Sequence, residues 1–225
     1  MNLKAFLFDL NGTIINDMPY HISAWYKILN DLGGNLSYDK VKSECYGKNS
    51  ELLERIFPFR FSDKEKYEME MEKEKAYQKV YRPQMKLIDG LDEFLKESQD
   101  AGIKMAIASA AILFNIDFVL DGLNIRHYFD AIVSAESVKI SKPHPETYLM
   151  AAELLKTSPA DCLVFEDTPK GVDAALNAGM KAVVITSLHH PDEFTDYPNV
   201  IKFVNDFTEL RDVILQKNIT QQLSP

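Results

Sequence analysis

The chain has 225 residues, of which 46% are apolar and 26% charged, with a formal net charge of −9. That is the composition of an ordinary folded protein of one or two domains. The negative charge argues against non-specific nucleic-acid binding, and no apolar run approaches the roughly eighteen residues of a membrane span.

Residues 3–8 (LKAFLF) read as a buried strand ending on Asp9. Asp9 also interrupts the N-terminal apolar run too early for a secretory signal. Residues 17–86 hold no convincing strand. Trp25, Ile28, Leu29 and Leu32 recur at helical spacing, and Gly33-Gly34 stops that helix. Ser37 can cap a second helix. Ser62 with Glu65 forms a capping-box pattern that opens a long charged helix over 63–82, whose charge run reads as a solvated face. Further buried strands are expected at 104–109, 131–134, 162–166 and 181–185. Helices are expected at about 90–101, 112–123, 145–156 and 169–178. This alternation predicts an α/β fold, a doubly wound parallel sheet, with residues 1–16 and 87–225 as the core domain and 17–86 as an inserted α-helical cap domain. The hinges fall near Asn16–Asp17 and Lys86–Gly90, and the polar tail after Leu215 is expected to fray. Cys45 and Cys162 lie in apolar settings without a motif, which suits a cytoplasmic location. The default state is a monomer.

Four polar groups fall at or just beyond the ends of predicted strands. They are Asp9, Ser109, Lys142 in the loop after the third strand, and the pair Glu166-Asp167. In a parallel sheet such groups share one edge, where ligands bind. Carboxylates, a hydroxyl and an ammonium suit phosphoryl transfer, which needs a nucleophile, a divalent cation and fixed positive charge. Asp9 and Asp167 are hard oxygen donors for Mg²⁺, and Asp9 can also attack phosphorus. A protein this acidic needs such local cations to accept a phosphorylated substrate.

The motifs DLNGT (9–13), ASA (108–110), SKPHPETY (141–148) and VFEDTPKGVDAALNAGM (164–180) resemble the four motifs of the haloacid dehalogenase (HAD) superfamily. The chain is most similar to its β-phosphoglucomutase and sugar-phosphate phosphatase branch, which carries a helical cap. The resemblance implies that Asp9 is the nucleophile and that Mg²⁺ is held by Asp9, the Asn11 carbonyl and Asp167, with Glu166 in the metal's shell. Ser109 and Lys142 would hold the phosphoryl group.

The chain departs from that pattern at Asn11, where the family has an aspartate that acts as general acid and then general base. An amide can do neither, and such help is typically worth on the order of 10²–10⁴-fold. Three readings stay open: a substitution that traps substrate, a natural variant of changed or weak activity, or a phosphometabolite-binding protein without turnover. His21 occupies the position of a cap histidine in this branch and offers a substitute acid. Residues 46–50 resemble the cap loop that reaches the substrate. No arginine stands near Ser50 to grip a second phosphate, so Lys48 is left as a point charge. Lys73 corresponds to another cap lysine. The expected activity is Mg²⁺-dependent hydrolysis of a small phosphorylated metabolite through an aspartyl-phosphate, with a sugar-phosphate mutase as the alternative.

Overall fold

A computed structural model describes residues 3–210, and the expected fraying after Leu215 lies outside the described residues. The chain divides into two compact units, residues 1–16 with 86–225 and residues 17–85.

The larger unit holds a six-stranded parallel sheet. Its strands are β1 (Ala5–Phe8), β2 (Lys104–Ala108), β3 (Ala131–Val133), β4 (Cys162–Glu166), β5 (Lys181–Ile185) and β6 (Val200–Val204), in the order β3-β2-β1-β4-β5-β6. Every residue of β1 and β4 is buried, because helices cover both faces of a parallel sheet. Alternate residues serve opposite faces. Phe6 and Phe8 of β1 join Phe165, Phe94 and Phe207, with Phe8 and Phe165 stacked at 4.7 Å. Ala5 and Leu7 point into a second cluster with Tyr148, Ala151, Val172 and Ala175. Among the described residues four α-helices belong to this unit: Leu91–Asp100 (α5), Leu113–Gly122 (α6), Glu146–Leu154 (α7) and Pro169–Asn177 (α8). The sheet order reverses direction between β1 and β4, and that reversal is the usual ligand edge of such a sheet. Strand β6 was not among the expected strands. Its exposure alternates along VIKFV, as befits an edge strand with one face in solvent.

The smaller unit is helical: Met18–Asp31 (α1), Tyr38–Glu44 (α2), Asn49–Ile56 (α3) and Asp63–Tyr81 (α4). Helix α1 ends as expected, with Gly33 at φ +88° and the Gly33 and Gly34 amides donating to Asn30 and Leu29 carbonyls. The Ser37 hydroxyl accepts from the Lys40 amide, and Ser62 and Glu65 form the capping box. Helix α3 replaces the expected loop at its N-terminal end. There the Glu51 carboxylate accepts from the Lys48 amide at 3.0 Å, and Leu52 and Leu53 are buried. Helix α4 also departs from expectation, because Glu70, Lys73 and Glu74 of its charge run are buried rather than solvated. No helix among the described residues is long and apolar enough to cross a membrane.

Candidate active site

Asp9 directly follows β1, and its amide donates to the Phe165 carbonyl at 3.0 Å, so the β1–β4 ladder runs up to the carboxylate. The chain then turns tightly: the Ile14 amide returns to Leu10 O at 2.8 Å and the Gly12 amide to Ile15 O at 2.8 Å. The turn needs Gly12 twice over. Its φ is +77°, and a Cβ there would stand 2.0 Å from Asp167 Oδ2. Asn11 opens the turn, half-buried, and bridges to Ile15. The Ser187 hydroxyl, beyond β5, donates to the Gly12 carbonyl at 2.6 Å.

Lys142 ties the strand ends together. Its Nζ donates to Asp9 Oδ1 at 2.7 Å and to Glu166 Oε1 at 2.8 Å, and all three side chains are buried. It also lies 4.6 Å from the Tyr148 ring centre. Glu166 is heavily engaged. Oε1 accepts Lys142 and the Tyr148 hydroxyl, while Oε2 accepts the Asp167 amide, the Thr168 amide and the Thr168 hydroxyl. With five donors on two oxygens, Glu166 anchors Lys142 and fixes the start of α8. Thr168 in turn accepts the Gly171 amide as the helix cap. Ser109 follows β2, with its amide on Val133 O and its hydroxyl accepting from the Ala111 amide, and it helps to hold the Asp9 pKa down.

The charges here do not balance. Burial pushes the Asp9 carboxyl up to about 6; Lys142 counters that shift and the nearby Glu166 charge adds to it. Burial works against charge on Lys142 and Glu166 too, yet attraction prevails: Asp9 and then Glu166 raise Lys142, and Lys142 lowers Glu166. One ammonium thus serves two buried carboxylates.

The donor set suits a hard divalent cation. Asp9 and Asp167 come from adjacent strands across the sheet reversal, and Gly12 leaves room for the Asp167 carboxylate beside the turn. Among the described residues no group of three or more His, Cys, Asp or Glu side chains is arranged to hold a metal. Two carboxylates and a backbone carbonyl fit Mg²⁺, which keeps several waters and completes its shell with phosphate oxygens.

The smaller unit carries its own buried polar cluster. Lys73 Nζ meets His21 Nδ1 at 2.5 Å and donates to Glu74 Oε1 at 2.8 Å. An ammonium has only protons to offer, so His21 Nδ1 must accept and Nε2 carries the hydrogen toward Asp17 Oδ2 at 3.1 Å. The Tyr77 hydroxyl donates to the same Asp17 oxygen, and its ring stacks on His21 at 3.9 Å. Lys48 and Ser50 flank the start of α3, and it is Asn49 between them that reaches the cluster. Asn49 Nδ2 donates to Glu70 and Glu74 at 2.9 and 2.7 Å, and Oδ1 accepts from Trp25.

A family model described as haloacid dehalogenase-like hydrolase matches residues 6–185. The chain belongs to this family. This HAD-like hydrolase is 31% identical to the fructose-1-phosphate phosphatase YqaB of Escherichia coli (strain K12) over 184 residues, 81% of this chain and 96% of that protein. It is 32% identical to the β-phosphoglucomutase of Bacillus subtilis (strain 168) over 190 residues, 80% and 82% of the two chains. Among solved structures, the β-phosphoglucomutase of Clostridium difficile matches with a TM-score of 0.82 at 28% identity, over 99% of this chain and 100% of that one. Tyr148, Thr168, Asn49, Glu70 and Glu74 of this HAD-like hydrolase belong to these networks without standing out in the sequence. Tyr148 carried a signal, lying on α7 shortly after Lys142 in the same motif. The cap carboxylates were hidden in a run of alternating charge.

Proposed function

We propose that the chain is a Mg²⁺-dependent phosphatase of small phosphorylated metabolites, with Asp9 as the nucleophile. The observation that carries this reading is Lys142 bridging Asp9 and Glu166 at the sheet reversal, beside Asp167 and the Gly12 turn. Asp9 attacks phosphorus, and Lys142 and Ser109 hold the phosphoryl oxygens. Asp9, Asp167 and the Asn11 carbonyl would hold the cation, which would neutralise phosphate charge. Glu166 keeps Lys142 in place. The helical unit serves as the cap that admits substrate and excludes water.

Hydrolysis is favoured over mutase activity by Ser50, an uncharged side chain where a second phosphate would need a cation. The relatives of known activity include both a sugar-phosphate phosphatase and a mutase. The test is phosphate release from a panel of sugar phosphates and acyl phosphates. Release should require Mg²⁺ and disappear in Asp9→Ala. Neither release nor phosphorylation of the chain with any donor would overturn the reading.

A further inference from the structure

We propose that Tyr148 is a positioning residue for phosphoryl transfer: its hydroxyl and its ring set where the Lys142 ammonium sits between Asp9 and Glu166. This rests on the phosphatase reading for the work that Lys142 does. How Tyr148 directs the lysine follows from contacts within the larger unit.

Lys142 stands in the loop before α7 and Tyr148 in the first turn of that helix. Both are buried, Tyr148 completely. The tyrosine ring is packed in the apolar cluster with Leu7 and Val164 of the central strands, so it has a fixed place. From there it touches the lysine and the lysine's anchor at once. The hydroxyl donates to Glu166 Oε1 at 3.0 Å, the same oxygen that accepts Lys142 Nζ at 2.8 Å. The ring centre lies 4.6 Å from Nζ, within cation–π range. Burial and the neighbouring carboxylates push the hydroxyl pKa well above its ordinary value, so the group stays a donor.

Glu166 by itself does not fix the lysine. Its Oε2 is held by the Asp167 amide and by the amide and hydroxyl of Thr168, so the carboxylate cannot turn. The ammonium bonds only to Oε1, and a carboxylate oxygen offers more than one lone-pair direction. The Tyr148 hydroxyl takes one direction and leaves Lys142 the other. Its proton also draws on the charge of that oxygen and weakens the pull of Glu166 on the ammonium. Without the hydroxyl, Lys142 settles more deeply on Glu166 and is drawn off Asp9 Oδ1, to which it donates at 2.7 Å. A lysine that must meet developing phosphoryl charge loses rate steeply when displaced, by on the order of 10²-fold for a shift of about 1 Å.

The experiment compares the full chain with Tyr148→Phe and Tyr148→Leu, using Mg²⁺ and a panel of sugar phosphates. Tyr148→Phe keeps the packed ring and removes only the hydroxyl, so the test does not depend on the folding of Tyr148→Leu. Expected in Tyr148→Phe is a fall in kcat of about tenfold, the usual worth of a hydrogen bond to a charged group, with KM nearly unchanged. Tyr148→Leu should fall further, because the ring is lost too. An unchanged kcat in Tyr148→Phe, or a loss confined to KM, would overturn the inference. A second readout needs no turnover: the ammonium resonances of the chain labelled with isotopic lysine. The signal lost in Lys142→Met should shift, and exchange its protons with water faster, in Tyr148→Phe. The signal of Lys73, buried in the helical unit, should stay in place. A Lys142 signal that is the same in both proteins, or exchanges in the parent like that of an exposed lysine, would overturn the inference. No phosphate release by the parent from any donor, with the Lys142 signal shifted as expected, would overturn the phosphatase reading and leave Tyr148 as the residue that places Lys142.

Discussion

Gly171 lies over the carboxylate that steadies the candidate site. A Cβ built on it would stand 1.7 Å from Glu166 Oε1, so the first turn of α8 closes on that carboxylate with no space for a methyl group. Gly171→Ala should therefore push Glu166 off Lys142 rather than merely crowd a helix. The expected cost is about 1–3 kcal/mol in stability, read by urea unfolding, together with loss of phosphoryl transfer. Unchanged transfer would contradict the anchoring role of Glu166. Asp9 makes a second prediction. Burial raises its pKa from an ordinary 3.8 to about 6 in the metal-free protein. A raised folded value means that the folded protein binds the proton more tightly. Its contribution to stability is thus full below about pH 4 and is lost as pH rises through about 6. Asp9→Asn removes that loss, so without metal the variant should gain on the parent by up to roughly 3 kcal/mol between pH 4 and 7. A parent that gains on the variant across that window would refute the assignment. At this scale the sequence was most readable where chemistry-bearing residues end strands: Asp9, Lys142 and Glu166 meet within hydrogen-bond distance. Tyr148 and Asn49 were not readable, because their importance lies in partners distant in sequence.

Helix α4 shows why charge patterning misleads at the scale of an element. Its run of alternating lysine and glutamate resembles a solvent face, yet Glu70, Lys73, Glu74 and Tyr77 fall at i, i+3, i+4 and i+7 and form a buried stripe. The stripe faces α1 and the start of α3, where His21, Asp17, Trp25 and Asn49 provide matching polar atoms. A periodicity count restricted to apolar residues overlooks a stripe built of paired charges. Lys73→Met should be costly, because it leaves the Glu74 carboxylate buried without its ammonium and His21 Nδ1 without that donor. The expected loss is about 3–5 kcal/mol, measured by denaturant unfolding. A loss under about 1 kcal/mol, the usual worth of an exposed pair, would mean that the lysine is solvated after all. Strand β6 and helix α3 escaped notice for simpler reasons. The first is an alternating edge strand interrupted by a lysine, and the second is short and begins within what reads as a loop.

At the scale of the molecule, the alternation of strands and helices made the layered parallel sheet legible, but not the order of its strands. That order is set by which crossovers pack, and it places Asp9 beside Glu166 and Asp167. A cation shared by Asp9 and Asp167 would link binding to the stability of the larger unit. At about 100 times its dissociation constant, Mg²⁺ should add about 2.7 kcal/mol. That corresponds to a rise of roughly 5–11 °C in Tm for a chain of this size, and it should be absent in Asp167→Asn. Equal rises in both proteins would place the cation elsewhere. The sheet order bears as well on how the chain first acquires its shape. Phe6 pairs with Met105 on one side and Leu163 on the other, about 100 and 160 residues later in the chain. Synthesis at 5–20 residues per second would leave β1 waiting roughly 8–30 s for its second partner. For about the first 5–20 s of it, until β2 is made, an apolar, aromatic strand has no sheet to join, and the intervening helical unit is the first part able to complete its own contacts. The central strand of the finished sheet is thus the earliest made and among the last to be enclosed, and the nascent chain is most exposed to aggregation there.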